Sequence, residues 1–178
     1  MALAAFGVVL LAGCAGSAPS IAPAPAASAA PAASTPPGQV RITGAVDRPS
    51  TLSVAALAAM PSQMVAVEFG TDKGTERHTY LGAPLVGLID GAGPALTPGT
   101  KHDELSLGVL VVGADGYRTL LSYGELSPSF GNTGVLLATS QDGKPLSRPR
   151  LVAPHDVKGG RYVSDVVEID VIHPPSAR

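Results

Sequence analysis

Val135-Leu136-Leu137-Ala138-Thr139-Ser140-Gln141-Asp142-Gly143-Lys144-Pro145-Leu146 is a β-prone run, a two-residue turn signal and a return. Asp-Gly in that position closes a tight hairpin, because the turn needs positive φ at both central residues and glycine supplies it without strain. The same device lies upstream. Leu105 to Ala114 is nearly continuous in aliphatics, Asp115-Gly116 turns the chain, and Tyr117 to Ser122 returns it. Leu151-Val152 and then Tyr162 to Ile172 are expected to complete the sheet. In the last of these segments Val167, Ile169 and Val171 alternate with Glu168 and Asp170. The spacing predicts three aliphatics facing the core and two carboxylates in water on an edge face.

Working toward the N-terminus, Leu85, Leu88 and Ile89 follow Pro84 at helical spacing and precede Gly91 and Gly93, a short helix with one apolar face. Met64 to Phe69 and Arg77 to Leu81 read as two extended pieces that could pair across the polar stretch Gly70 to Glu76. Ser53 is a good N-cap for Val54 to Ala59, and Pro61 stops that helix. Val40, Ile42 and Ala45 open the ordered part as a strand, closed by Asp47-Arg48-Pro49-Ser50. The expected fold class is α+β: a compact, mixed, β-rich domain over 39–174 with a few short helices.

Before it lie two segments of other character. Ala15 to Gly38 is almost wholly Ala, Pro, Ser and Gly, a composition that cannot bury enough surface to offset its ordering entropy. It is expected to be a disordered linker over 15–38, able to reach roughly 70 Å when extended. Residues 1–14 read as a signal peptide. The apolar run Ala2 to Leu11 ends in Leu11-Ala12-Gly13-Cys14, which resembles a lipobox, so Cys14 is the expected lipidation site. That reading implies a lipid anchor in the cell envelope, facing the periplasm or the exterior. No Lys or Arg precedes Arg41, so the usual positive flank of a leader is absent before the apolar run.

The 178-residue chain carries 12 Lys and Arg against 14 Asp and Glu, a formal net charge of −2, which argues against nucleic acid as a partner. Aromatic residues are 4% with no Trp, too few for a sugar-stacking platform. Cys14 is the only cysteine, so the domain has neither an internal disulfide nor a thiolate ligand. The four histidines, His78, His102, His155 and His173, have no metal-ligand spacing, and no metal residues are assigned. None of Ser106, Ser122, Ser140 or Ser147 sits in a nucleophile elbow. Asp103-Glu104 falls in a polar connector, where solvation is the simple explanation.

Taken in order, several segments resemble the molybdopterin-binding domain of the sulfite oxidase family. They are Ile42-Thr43-Gly44-Ala45-Val46 with Pro49, Leu81-Gly82-Ala83-Pro84-Leu85, Asp115-Gly116-Tyr117, Leu136-Leu137-Ala138 before Asp142-Gly143-Lys144-Pro145-Leu146, and Arg150-Leu151-Val152-Ala153-Pro154 running to Gly159-Gly160-Arg161-Tyr162-Val163. The resemblance covers Gln39 to Ile172 and implies a sulfite-oxidase-type fold that holds molybdopterin by its phosphate and ring edge. It also implies a metal-ligating Cys within a Cys-Val-Glu tripeptide, but here the corresponding residues are Ala66-Val67-Glu68. A methyl group gives a metal no lone pair. A Lys expected after Gly159-Gly160-Arg161-Tyr162-Val163 is Ser164.

The densest local chemistry is Lys144, Arg148, Arg150, Lys158 and Arg161, with only Asp142 and Asp156 as acids in the same stretch. Together with Gly159 and Gly160 these cations could hold an anion, Arg161 by two parallel bonds; the other reading is a basic stripe that balances the acidic last strand. His155-Asp156 reads either as an oriented acid/base or metal-ligand pair, or as a loop turn with a solvated imidazole. The expected cofactor-binding set is Arg161, Gly159, Gly160, Lys158, His155 and Arg150, with no catalytic residue. The expected function is a degenerate, non-catalytic relative that binds an anionic small molecule or an envelope protein. The alternative is an active molybdopterin-dependent oxidoreductase without a protein thiolate.

Overall fold

A computed structural model describes Met1 and residues 35–174; the leader, Cys14 and most of the linker lie outside the described residues. Contacts divide the chain into Met1–Ala33 and Ser34–Arg178. The second unit holds β1 (Gln39–Gly44), β2 (Ser50–Ser53), α1 (Val54–Ala58), β3 (Gln63–Thr71), β4 (Gly74–Pro84) and α2 (Leu85–Ala92). It continues with β5 (Gly108–Gly113), β6 (Arg118–Ser122), α3 (Tyr123–Leu126), β7 (Leu136–Gln141), β8 (Lys144–Val152) and β9 (Val166–Ile172). The α+β, β-rich class expected from the sequence is the class observed.

The strands form two sheets where a single one was expected: β2-β1-β9-β5-β6 and β3-β4-β7-β8. Each Asp-Gly hairpin went to a different sheet. Asp142 and Gly143 have φ of 51° and 74°, the paired positive values that the β7–β8 turn requires. The β3–β4 hairpin runs further than expected, in unbroken register from Gln63↔Gly82 to Thr71↔Gly74, so most of the anticipated polar loop is strand. Ser53 caps α1 as predicted, its hydroxyl accepting the Ala56 N–H at 3.1 Å. Inward side chains from both sheets, with Leu57, Leu85, Leu88 and Ile89 from the helices, form one core.

The last strand differs from expectation in two ways. β9 is central, parallel to β1 and antiparallel to β5, so it forms no edge. A bulge opposite Val112 and Gly113 shifts the phase of the strand, and Val166 turns inward with Ile169 and Val171 while Val167 stays half-buried. Glu168 and Asp170 are accordingly only partly exposed. Glu168 accepts from Arg41 at 3.0 Å and from Thr43 at 3.1 Å. Burial first, then the Glu168 charge, pushes the Asp170 carboxyl above its ordinary range.

Asp103 is a second correction, being buried in a 310 turn over Asp103–Ser106. Its Oδ2 accepts the Thr97 N–H at 2.6 Å and lies 3.1 Å from His173 Nε2. The Thr97 bond, then the His173 partner, hold the carboxyl below its ordinary range against the upward pull of burial. The carboxylate therefore anchors the loop before β5 to the end of β9.

Candidate functional site

The segment after β8 folds back over the free end of the β3–β4 hairpin. Gly70 N–H donates to Val157 carbonyl at 2.9 Å, and Gly70 and Lys158 form a parallel bridge. Gly159 lies against the Phe69 ring: a Cβ there would stand 2.9 Å from Cδ2, so this glycine exists for packing. The Gly160 carbonyl accepts from Tyr117 Oη at 2.5 Å, which ties the β5–β6 turn to the same loop. Lys144 and Lys158 are exposed, and Arg148 reaches only Asp165, at 4.0 Å.

Arg161 is not the open fork that the sequence suggested. Its Nε and Nη2 donate in parallel to Asp156 at 2.8 and 2.5 Å, and Nη1 donates to Glu125 at 2.6 Å. Hydrogen bonds to Asp156 and Glu125 raise the already high pKa of the guanidinium further. On Glu125 burial acts upward, but the Ser122 backbone N–H and Arg161 hold its carboxyl below the ordinary range. The three residues clamp the 156–161 loop onto α3. Asp156 is thereby taken from His155, which sits exposed at φ 73°. Among the described residues His155 and Asp156 form no hydrogen bond with each other; both line a cavity of about 480 Å³ with Glu68, Phe69, Gly70 and Thr75.

Arg150 is placed differently. It stands on β8, and its charge acts on the phenols of Tyr80 on β4 and of Tyr162, which are 0% and 6% exposed, with ring centroids 6.5 Å apart. Phe69 packs 4.4 Å from the Tyr162 ring, and His78 lies 5.8 Å from Tyr80. Among the described residues Arg150 Nε, Tyr80 Oη and Tyr162 Oη, together with Arg41 Nε on β1 of the other sheet, are buried without a hydrogen-bond partner. Each such group costs about 1–3 kcal/mol if it stays unsatisfied. Burial raises both phenols, Tyr162 to about 12, while the Arg150 charge pulls each downward. Both hydroxyls are therefore neutral donors at physiological pH. Three buried donors, one cationic, form a group suited to a small anion.

Sequence reasoning named Arg150 as a candidate and neither tyrosine. Strand alternation puts Tyr80 inward with Val67 and Phe69, but nothing local marks a hydroxyl that will lack a partner. His78, also missed, has Nδ1 2.8 Å from Asp142 Oδ2 and Nε2 3.3 Å from Glu76 Oε2. Asp142 also accepts the Thr79 N–H at 2.8 Å, and that bond, followed by His78, lowers its pKa.

Ala66 faces outward opposite Thr79, exposed in a shallow cavity of about 340 Å³ with Glu68, Arg77, His78, Thr79 and Asp142. Arg77 there is paired with Glu68 at 2.7 Å. The residues do not fit molybdenum held through a thiolate: position 66 offers a methyl group, and Arg77 and Arg161 are already neutralised.

No family model matches the chain, and no curated protein matches it. Among solved structures the sulfane dehydrogenase SoxCD from Paracoccus pantotrophus is similar, with 18% identity and a TM-score of 0.61 over 76% of this chain. The match takes in 38% of the SoxCD chain. At that identity the likeness shows the fold, and it supports the sulfite-oxidase-type architecture expected from the ordered segments.

Proposed function

We propose that this chain is a cell-envelope lipoprotein, anchored through an acylated Cys14, whose sulfite-oxidase-type domain is a non-catalytic binder of a small anion. The observation that supports the reading is the trio of buried, unpartnered donors: Arg150 Nε, Tyr80 Oη and Tyr162 Oη. A domain that keeps such a group without an occupant gives up several kcal/mol, by order of magnitude. Within the proposal Arg150 carries the charge recognition and the tyrosines supply direction. Gly159, Gly160, Lys158, His155 and Arg161 shape and hold the loop over them.

Titrating sulfate and phosphate into the full chain by calorimetry tests the reading. Arg150→Leu is expected to weaken binding about tenfold or more, and Tyr80→Phe or Tyr162→Phe about fivefold each. Unchanged affinity in all three folded variants overturns it. Retention of an envelope protein in place of any anion moves the function to the partner alternative.

A further inference from the structure

A third cavity, bordered by Tyr123 of α3, has a chemistry opposite to that of the Arg150 group. Its volume is about 410 Å³, and Leu96, His102, Glu104, Tyr123, Ser127 and Phe130 line it. Leu96 and Phe130 are 44% and 46% exposed. Both walls are nevertheless fixed. On one side Asp103 pins the loop that carries Leu96, His102 and Glu104. On the other, the Ser127 carbonyl accepts the N–H groups of Phe130 at 3.0 Å and Asn132 at 3.1 Å. His102 stands at φ 53°, a left-handed conformation that costs a non-glycine residue about 1 kcal/mol or more. In that pose its ring meets Phe130 edge-on, with centroids 6.0 Å apart, and its Nδ1 holds Glu104 Oε1 at 3.2 Å.

The permanent charge lining this cavity is negative. Glu104 is its one carboxylate, no Lys or Arg lines it, and the Tyr123 hydroxyl donates to Asp90 at 2.8 Å. Burial, then Asp90 and Glu104, push the Tyr123 phenol up to about 12. Aromatic rings beside a positioned carboxylate, with an aliphatic wall, are the surroundings that desolvate and hold a soft cation.

We infer that this cavity binds a small organic ammonium ion, its charge against Glu104 and the rings of Tyr123 and Phe130, its alkyl part on Leu96. Two sources share that chemistry, a free solute and a choline lipid headgroup.

Calorimetry on the full chain with choline, and with its neutral isostere in which carbon replaces nitrogen, is the direct test. Choline is expected to bind at least about fivefold more tightly than the isostere. Phe130→Ala and Glu104→Gln are each expected to cost about fivefold, with melting temperatures close to the parent because Phe130 is exposed and glutamine keeps the size and the acceptor oxygen of the half-buried Glu104. Arg150→Leu leaves this binding unchanged, so the two sites fail or succeed separately. Sedimentation of the Cys14→Ser chain with phosphatidylcholine or phosphatidylglycerol vesicles separates the sources: Phe130-dependent retention on the former alone assigns the headgroup, and no retention assigns the solute. Equal affinity for choline and its isostere, no saturable choline binding, or full affinity in both cavity variants overturns the inference.

Discussion

Replacing Arg161 by Ala removes three hydrogen bonds at once, two to Asp156 and one to Glu125. The arginine side chain is 36% exposed and its partners 16% and 30%, which puts these pairs between the surface and buried regimes. Exposed pairs contribute about 0.2–1 kcal/mol each, and removing one member of a buried pair costs about 3–5 kcal/mol. Solvent screening at this exposure brings the expected loss to about 2 kcal/mol. For a domain of this size that lowers the melting temperature by about 7 °C. Thermal melts followed by circular dichroism read this shift, and sulfate titration of the same variant below its transition is expected to show an affinity about twofold lower, because Arg161 holds the loop and does not itself bind the anion. Arg161→Lys, which keeps the charge but loses the planar fork, should fall between Ala and the parent. A melting temperature within about a degree of the parent, together with lost anion binding, would refute the clamp and return Arg161 to the role of anion fork.

Tyr162→Phe removes a buried hydroxyl that has no partner, so the anion-free domain should gain about 1 kcal/mol in urea denaturation; a loss of that size would mean that the hydroxyl is satisfied. Gly159→Ala puts a methyl group 2.9 Å from Phe69 Cδ2 and is expected to cost about 1–3 kcal/mol by the same measurement. Asp103 titrates below the ordinary carboxylate value when folded, so its stabilising effect is complete above about pH 4 and is lost as pH falls through the depressed value. Asp103→Asn should flatten the acid limb of the stability profile, and an unchanged acid limb would count against the Thr97–Asp103–His173 anchor.

The local features were legible because local chemistry decides them. Ser53 capping α1 and Asp142-Gly143 turning β7 into β8 each follow from two or three adjacent residues. Strand partners were less legible. Periodicity tells which side chains face inward but not which strand they meet, and β9 finds β1, more than a hundred residues away, as its parallel neighbour. The bulge opposite Val112 and Gly113 then exchanged Val167 for Val166 in the core, a change that no alternation rule within β9 contains. At the candidate site, the basic stretch names both arginines, and the structure pairs Arg161 with Asp156 and Glu125. Arg161 has the stronger motif, but one of its carboxylates lies 36 residues away on α3, a distance along the chain that composition cannot bridge. Arg150 differs in keeping a buried Nε without a partner among the described residues.

On the proposed reading this sulfite-oxidase-type domain recognises a small anion and carries no metal centre. Molybdenum content and intact mass of the full chain, purified natively from a host that assembles the pterin cofactor, test this. The expected result is a mass with no pterin, no molybdenum above background, and a sulfate or phosphate adduct that Arg150→Leu abolishes. One molybdenum and one pterin per chain, with turnover of sulfite or a sulfoxide, would contradict it.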